Sequence, residues 1–306
     1  MSSRAAGGMR LSVVIPARNE EDSIAHSLRS LLAQDYPGSF SIILVDDNSE
    51  DQTAAIAEQV RMETASRVGL TIVQGAALPQ HWTGKLWAVH QGIEAAGQAQ
   101  PDYLLLTDAD IVYEASVLRW LAAHSIARGS VLTSLMAKLR CESFVERTFI
   151  PAFVYFFQML YPFSWVNDPK RNTAAAAGGC MLVQARQLAA AGGINVIRDA
   201  LIDDCSLAKV MKSQGPIWLG LTHHVHSIRA SQAVSDIHTM VSRSAYAQLR
   251  YSPLLLLGTV LGMAATYWVP PFFAIFGHGA AQLIGLAAWA FMTISFWPIL
   301  RFYGLT

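Results

Sequence analysis

A chain of 306 residues has room for one large or two ordinary domains, and 53% hydrophobic against 14% charged residues is too apolar for a simple soluble protein. Lys and Arg total 22, as do Asp and Glu, which excludes a global basic field able to hold nucleic acid or an acidic polymer. The cysteines Cys141, Cys180 and Cys205 are odd in number and lack a CxxC pair, which argues against a disulfide framework and a thiolate zinc site.

Residues 1–9 are small and polar, without an apolar core, and do not read as a signal peptide. From residue 11, short β-rich runs alternate with stretches of helical period, the pattern of an α/β domain with a mostly parallel sheet. Strands are expected over 11–15, 40–45, 70–74, 103–107 and 131–135. Between the first two, Ile24, Leu28, Leu31 and Leu32 share one helical stripe, and further helices are expected over 54–64 and 83–96. In such sheets ligands bind beyond the carboxyl ends of the strands. Those ends carry Pro16-Ala17-Arg18-Asn19-Glu20, Asp46-Asp47-Asn48-Ser49 and Asp108-Ala109-Asp110, so one edge is the expected site.

Asp108-Ala109-Asp110 follows an apolar run directly and presents two carboxylates together. Such a pair suits Mg²⁺ or Mn²⁺, hard ions that take one or two carboxylates plus substrate phosphate oxygens. Asp110 is the stronger metal candidate, with Asp108 serving both metal and nucleotide; the alternative is an acidic loop capping a helix. Residues 142–166 are dense in aromatics and read as an interfacial helix, against a plain buried one. A buried strand is expected over 178–183 and another over 217–221. Asp203-Asp204 opens a helix, where either acid has a capping reading. His223, His224 and His226 form a cluster in which one imidazole completing a metal shell competes with a polar edge-strand reading.

No Asp, Glu, Lys or Arg occurs from 252 to 300, which reads as membrane, and the run divides into helices over 253–276 and 280–300. The whole is expected as a domain over 9–230, a juxtamembrane amphipathic helix over 231–251 and two transmembrane helices over 252–306. Arg243, Arg250 and Arg301 flank the hairpin and its turn has no cation, so the positive-inside rule places both ends in the cytoplasm. A buried hairpin in a soluble protein is the alternative.

The three acidic and polar strand-end clusters, in this order and spacing, resemble the family 2 glycosyltransferases, whose nucleotide-binding domain has the GT-A fold. The resemblance implies that Pro16, Ala17, Glu20, Asp46 and Asp47 hold the nucleoside, that Lys85 pairs with the diphosphate, and that Asp204, second of the acidic pair, is the general base of an inverting transfer. Gln248-Leu249-Arg250-Tyr251 departs from the Gln-x-x-Arg-Trp motif of polymer-forming members in spacing and aromatic. The pattern along the whole chain is most similar to the hopanoid-biosynthesis-associated glycosyltransferases (HpnB type). That implies a nucleotide-sugar donor, UDP-linked, a lipid acceptor of the hopanoid or other polycyclic kind, and a place in the bacterial inner membrane with the catalytic domain cytosolic. Competing readings are a catalytically silent scaffold of the same fold and a sugar nucleotidyltransferase; the absence of glycine from Pro16-Ala17-Arg18-Asn19-Glu20 argues against the latter.

Overall fold

The computed structural model describes residues 8–64, 68–230, 248–249 and 251–305. They fall into two compact units, one of residues up to 140 with 161–230, the other of residues 141–160 with those from 231 onward.

In chain order the elements are β1 (Leu11–Ala17), α1 (Ile24–Leu32), β2 (Phe40–Asp46), α2 (Thr53–Glu63), β3 (Gly69–Gln74), α3 (Gly84–Ala96), β4 (Tyr103–Leu106), β5 (Ile111–Tyr113), α4 (Val117–Arg128), β6 (Leu132–Lys138), α5 (Phe144–Leu160), α6 (Phe163–Val166), β7 (Met181–Gln184), α7 (Ala185–Ala190), α8 (Asp203–Lys212), β8 (Ile217–Ser227), α9 (Pro253–Phe276) and α10 (Ala280–Tyr303). Strands β1 to β8 form one sheet in the order β3-β2-β1-β4-β7-β6-β8-β5. The half β3-β2-β1-β4 is parallel as expected, and β6 pairs with β8 in parallel, but β7 is antiparallel to both its neighbours and β5 to β8. The sheet is therefore mixed. An apolar run reads alike in either direction, so strand orientation was invisible in the sequence.

The core follows from the expected periodicity. Ile24, Leu28 and Leu31 are fully buried and face a sheet whose β1, β2 and β4 are buried along most of their length, as strands covered on both faces must be. Leu105 has no exposure, and truncating such a residue to Ala costs about 2–5 kcal/mol. Register places the ends of β1 and β2 level, Ala17 beside Asp46, and β1 continues the parallel stack to β4. Because β7 runs backwards, its beginning lies at the carboxyl end of β4, Met181 opposite Leu106. The residues leading into β7 thus arrive at the same edge as the residues leaving β1, β2 and β4.

Two elements differ from expectation. β8 extends through the histidine cluster to Ser227, held there by pairing with β5, a strand too short to leave a sequence signal. The aromatic stretch breaks into α5 and α6 at Tyr161-Pro162, where the proline disfavours helix in the residue before it.

In the second unit, α9 and α10 are 24 residues each, long and apolar enough to cross a membrane. Their side chains point outward: Leu254 is 80% exposed and Phe291 72%. Helix α5 packs against the hairpin through a Tyr155–Ser295 hydroxyl pair at 2.7 Å and edge contacts of Tyr155 on Phe296 and Phe156 on Tyr267. The juxtamembrane helix expected over 231–251, with Arg243 and Arg250, lies outside the described residues apart from 248, 249 and 251.

Candidate active site

The loops after β1 and β2 are stitched into one surface. Asp47 N–H donates to Ala17 O at 2.8 Å, Asn19 N–H to Ser49 Oγ at 3.0 Å, Glu50 N–H to Asn19 Oδ1 at 2.8 Å and Glu20 N–H to Thr53 Oγ1 at 2.7 Å. Both turns depend on an asparagine in the left-handed region, Asn19 at φ +55° and Asn48 at φ +56°, which asparagine tolerates better than most residues. Asp46 and Asp47 are buried at the end of β2. Asp46 Oδ1 accepts from Ser49 N–H at 3.3 Å, so part of its role is the turn itself. Burial, and secondarily the charge of Asp46, raises the pKa of Asp47, against the pull of Arg18. Glu20 accepts from Ser23 Oγ on one oxygen and from Arg229 on the other.

At the end of β4, Lys85 from the first turn of α3 reaches Asp108 Oδ1 at 2.8 Å and Asp203 Oδ2 at 3.1 Å. Burial alone would lower the Lys85 pKa, but Asp108 and Asp203 together hold the ammonium charged, well above its ordinary value. Asp110 is nearly buried and its Oδ2 accepts from Ser227 Oγ at 2.5 Å, with Arg229 Nε at 3.4 Å. Each carboxylate of the pair thus engages its side-chain partners through one oxygen. Two hard oxygen donors separated by a single small residue fit Mg²⁺ or Mn²⁺. Among the described residues no third His, Cys, Asp or Glu joins them, so the remaining ligands would be substrate oxygens and water.

Asp204 comes from the first turn of α8, whose N-cap position is Ile202, so neither acid of the pair is the N-cap residue. Its Oδ1 accepts from Cys205 N–H at 2.6 Å and its Oδ2 from Gly178 N–H at 3.1 Å, the latter from the segment leading into β7. Burial first, then the charge of Asp203, pushes the Asp204 carboxyl up to about 6, against the backbone donors and Lys85. A Cβ added at Gly178 would sit 3.5 Å from Lys85 Nζ and 3.7 Å from Asp204 Oδ2, so this glycine keeps the space between cation and acid free. A cleft of about 320 Å³, part of it open to solvent, is lined by Pro16, Lys85, Asp108, Gly178, Asp203 and apolar neighbours. The last residue of α8, Lys212, sends its ammonium to the carbonyls of Val166, Thr173, Asp168 and Trp165 at 2.6, 2.9, 3.1 and 3.5 Å.

The structure therefore brings Pro16, Lys85, Asp108 and Asp203 to one cleft, with Asp204 behind its lining residue Gly178 and with Ala17, Glu20, Asp46, Asp47 and Asp110 along the same sheet edge. It does not bring the histidines to the Asp108–Asp110 pair: His224 Nδ1 lies 2.7 Å from Glu114 Oε2 on the last strand pair. Sequence reasoning missed Arg229, Ser227 and the partnership of Asp203 with Lys85. A cation just past the last strand was the one available signal for Arg229. A site of this kind can neutralise a diphosphate with fixed cations and accept a proton near neutral pH.

Residues 12–185 match the family model "Glycosyl transferase family 2". The chain is 26% identical over 211 residues to the 4,4'-diaponeurosporenoate glycosyltransferase of Staphylococcus aureus, covering 67% of this chain and 52% of that one, so it spans about half the length of the curated relatives it matches. Among solved structures, it is similar to the mannosyltransferase PcManGT from Pyrobaculum calidifontis, in complex with GDP-Man and Mn²⁺, at TM-score 0.56 and 19% identity, over 94% of this chain and 76% of that one. It is also similar to S. aureus TarS, at TM-score 0.50 and 19% identity, over 78% of this chain and 39% of that one. At these identities the structural likenesses establish the GT-A-like fold.

Proposed function

The chain belongs to glycosyl transferase family 2 and is a glycosyltransferase, and we propose that it moves a sugar, with inversion, from a nucleoside-diphosphate donor, UDP-linked, to the hydroxyl of an apolar lipid. The observation that carries this reading is the Lys85 bridge, which joins the donor-side Asp108 to the acceptor-side Asp203 beside Asp204. In this reading Pro16, Ala17, Glu20, Asp46 and Asp47 hold the nucleoside. Asp204 takes the proton of the acceptor hydroxyl while that oxygen attacks the anomeric carbon. The bond to the diphosphate breaks with its electron pair on the leaving oxygen, whose charge Lys85 faces. A divalent ion on Asp108 and Asp110 would add neutralisation of that diphosphate.

The acceptor is proposed to be a polycyclic or long-chain isoprenoid lipid. The name of the S. aureus relative supports an acceptor of that apolar kind, and the resemblance along the whole chain favours a hopanoid. Helices α9 and α10 then anchor residues 9–230 on the cytosolic face of the bacterial inner membrane, with α5 in its interface. The exposed Phe144 and Leu160 of α5, at 84% and 61%, support an apolar surrounding for that helix.

The test is release of nucleoside diphosphate by the purified chain from a panel of sugar nucleotides, with and without a hopanoid-containing lipid extract. The expected result is Mn²⁺-dependent release stimulated by the extract, with a glycolipid of inverted anomeric configuration. Release indifferent to every lipid fraction would remove the lipid acceptor, and a retained anomer would remove the single displacement.

A further inference from the structure

Arg229 stands two residues beyond the end of β8, where the chain is tied to the turn between β4 and β5. Ile228 N–H donates to Asp110 O at 3.0 Å, and Ser227 Oγ donates to Asp110 Oδ2 while accepting from Arg229 N–H at 3.3 Å. The guanidinium then spans two acids from different strand ends. Nη2 donates to Glu20 Oε1, and Nε lies 3.4 Å from Asp110 Oδ2. The Glu20 and Asp110 side chains are 14% and 9% exposed while Arg229 is 55% exposed, so a cation open to solvent covers two carboxylates that are nearly closed off.

Two nearly buried acids on one edge cost desolvation energy unless a positive charge meets them. Arg229 meets that need with a planar fork of donors that also matches phosphate oxygens. The geometry points to Arg229 as the resident counter-cation of the donor pocket: it neutralises Asp110 until a divalent ion binds there, competes with that ion, and then turns its guanidinium to the diphosphate. This inference rests on the reading of Asp110 as a metal ligand. Arg229 sits between Glu20, at the proposed nucleoside end, and Asp110, at the proposed diphosphate end. The fork has only to exchange one oxygen acceptor for another on the same side of the pocket.

The experiment is a titration of the full chain in detergent with Mn²⁺ alone, followed by its electron paramagnetic resonance, and then with UDP at saturating Mn²⁺, followed by calorimetry. Arg229→Gln should bind Mn²⁺ alone about 5-fold more tightly, the range expected when a half-exposed competing charge is removed. The same variant should bind UDP about 5- to 10-fold more weakly, because a charge-assisted contact is lost. Arg229→Lys keeps the charge without the fork, so its Mn²⁺ affinity should stay near the parent's while UDP still weakens. Unchanged or weaker Mn²⁺ binding by a folded Arg229→Gln overturns the proposal. If that variant does not fold, UDP binding by Arg229→Lys as tight as the parent's overturns it instead. Asp110→Ala separates the premises: loss of Mn²⁺ binding there with no change in Arg229→Gln sinks only the role of Arg229, whereas retained Mn²⁺ binding sinks the metal assignment beneath it.

Discussion

The two halves of the cleft are built on different principles. The half formed by β1 and β2 ties its two loops together by hydrogen bonds in which Asn19, Ser49 and Thr53 join one loop to the next. The half formed by the start of β7 and by α8 holds Asp204 with two backbone N–H groups and leaves it poorly solvated beside a second acid. Rigid, satisfied polar loops suit recognition of a ligand that returns in one shape, since little ordering remains to be done on binding. A desolvated carboxylate suits proton transfer, because its affinity for a proton lies near the working pH.

The contrast predicts a ranking. Asp204→Asn retains the shape and one of the two accepted backbone hydrogen bonds but removes the proton acceptor of the proposed reaction, so kcat should fall by ~10² to 10⁴-fold while Mn²⁺ and donor affinities hold within a few-fold. Near-normal turnover, measured as nucleoside diphosphate release, would erase the distinction between the halves. Asp110→Ala should act the other way, weakening Mn²⁺-dependent donor binding by more than the ~10- to 100-fold that follows loss of an outer-shell metal partner. Calorimetry with UDP reads this directly; a change confined to kcat would contradict it.

Turnover should depend on pH chiefly through the acceptor half. With the Asp204 carboxyl pushed up to about 6, kcat should decline as pH falls through that value, by about tenfold per unit below it. Asp203→Asn removes the like charge beside it and should move the midpoint lower. Stability carries the opposite sign. The folded chain holds this proton more tightly than the unfolded one, so the contribution of Asp204 to stability falls as pH rises from the ordinary carboxyl value of 3.8 to about 6. Donor affinity that followed the same pH midpoint would merge the two halves again. The smallest effect belongs to the turns: Asn19→Ala places an ordinary residue at φ +55° and should cost about 1–2 kcal/mol, visible as a lower melting temperature, whereas Asn19→Gly keeps the backbone at the expense of the bond to Glu50.

The parallel half of the sheet was legible because each strand there is an apolar run punctuated by a polar turn, and the helix stripe of Ile24, Leu28 and Leu31 carries its own period. The direction of β7 and the continuation of β8 were not legible, since both are decided by pairing between segments distant in sequence. The same divide applies to the site. Asp108, Asp110 and Asp204 stand out as acids at element ends, but nothing near Lys85 in the chain announces Asp203. Nothing near Asp110 announces Ser227 or Arg229 either. The two helices of the hairpin were legible from the missing charges alone, because a run of 49 residues without Asp, Glu, Lys or Arg leaves its mark on every position of the segment.

Lys212 closes the far end of the helix that begins with Asp203 and Asp204. Four carbonyls of residues 165–173 converge on its ammonium much as they would on a bound alkali ion. The segment is thus folded around a cation that the chain carries itself, one that no chelator can strip and no change of buffer salt can exchange. Since that cation sits on the last residue of the helix whose first turn carries Asp203 and Asp204, α8 ties residues 165–173 to the acidic pair through one continuous element.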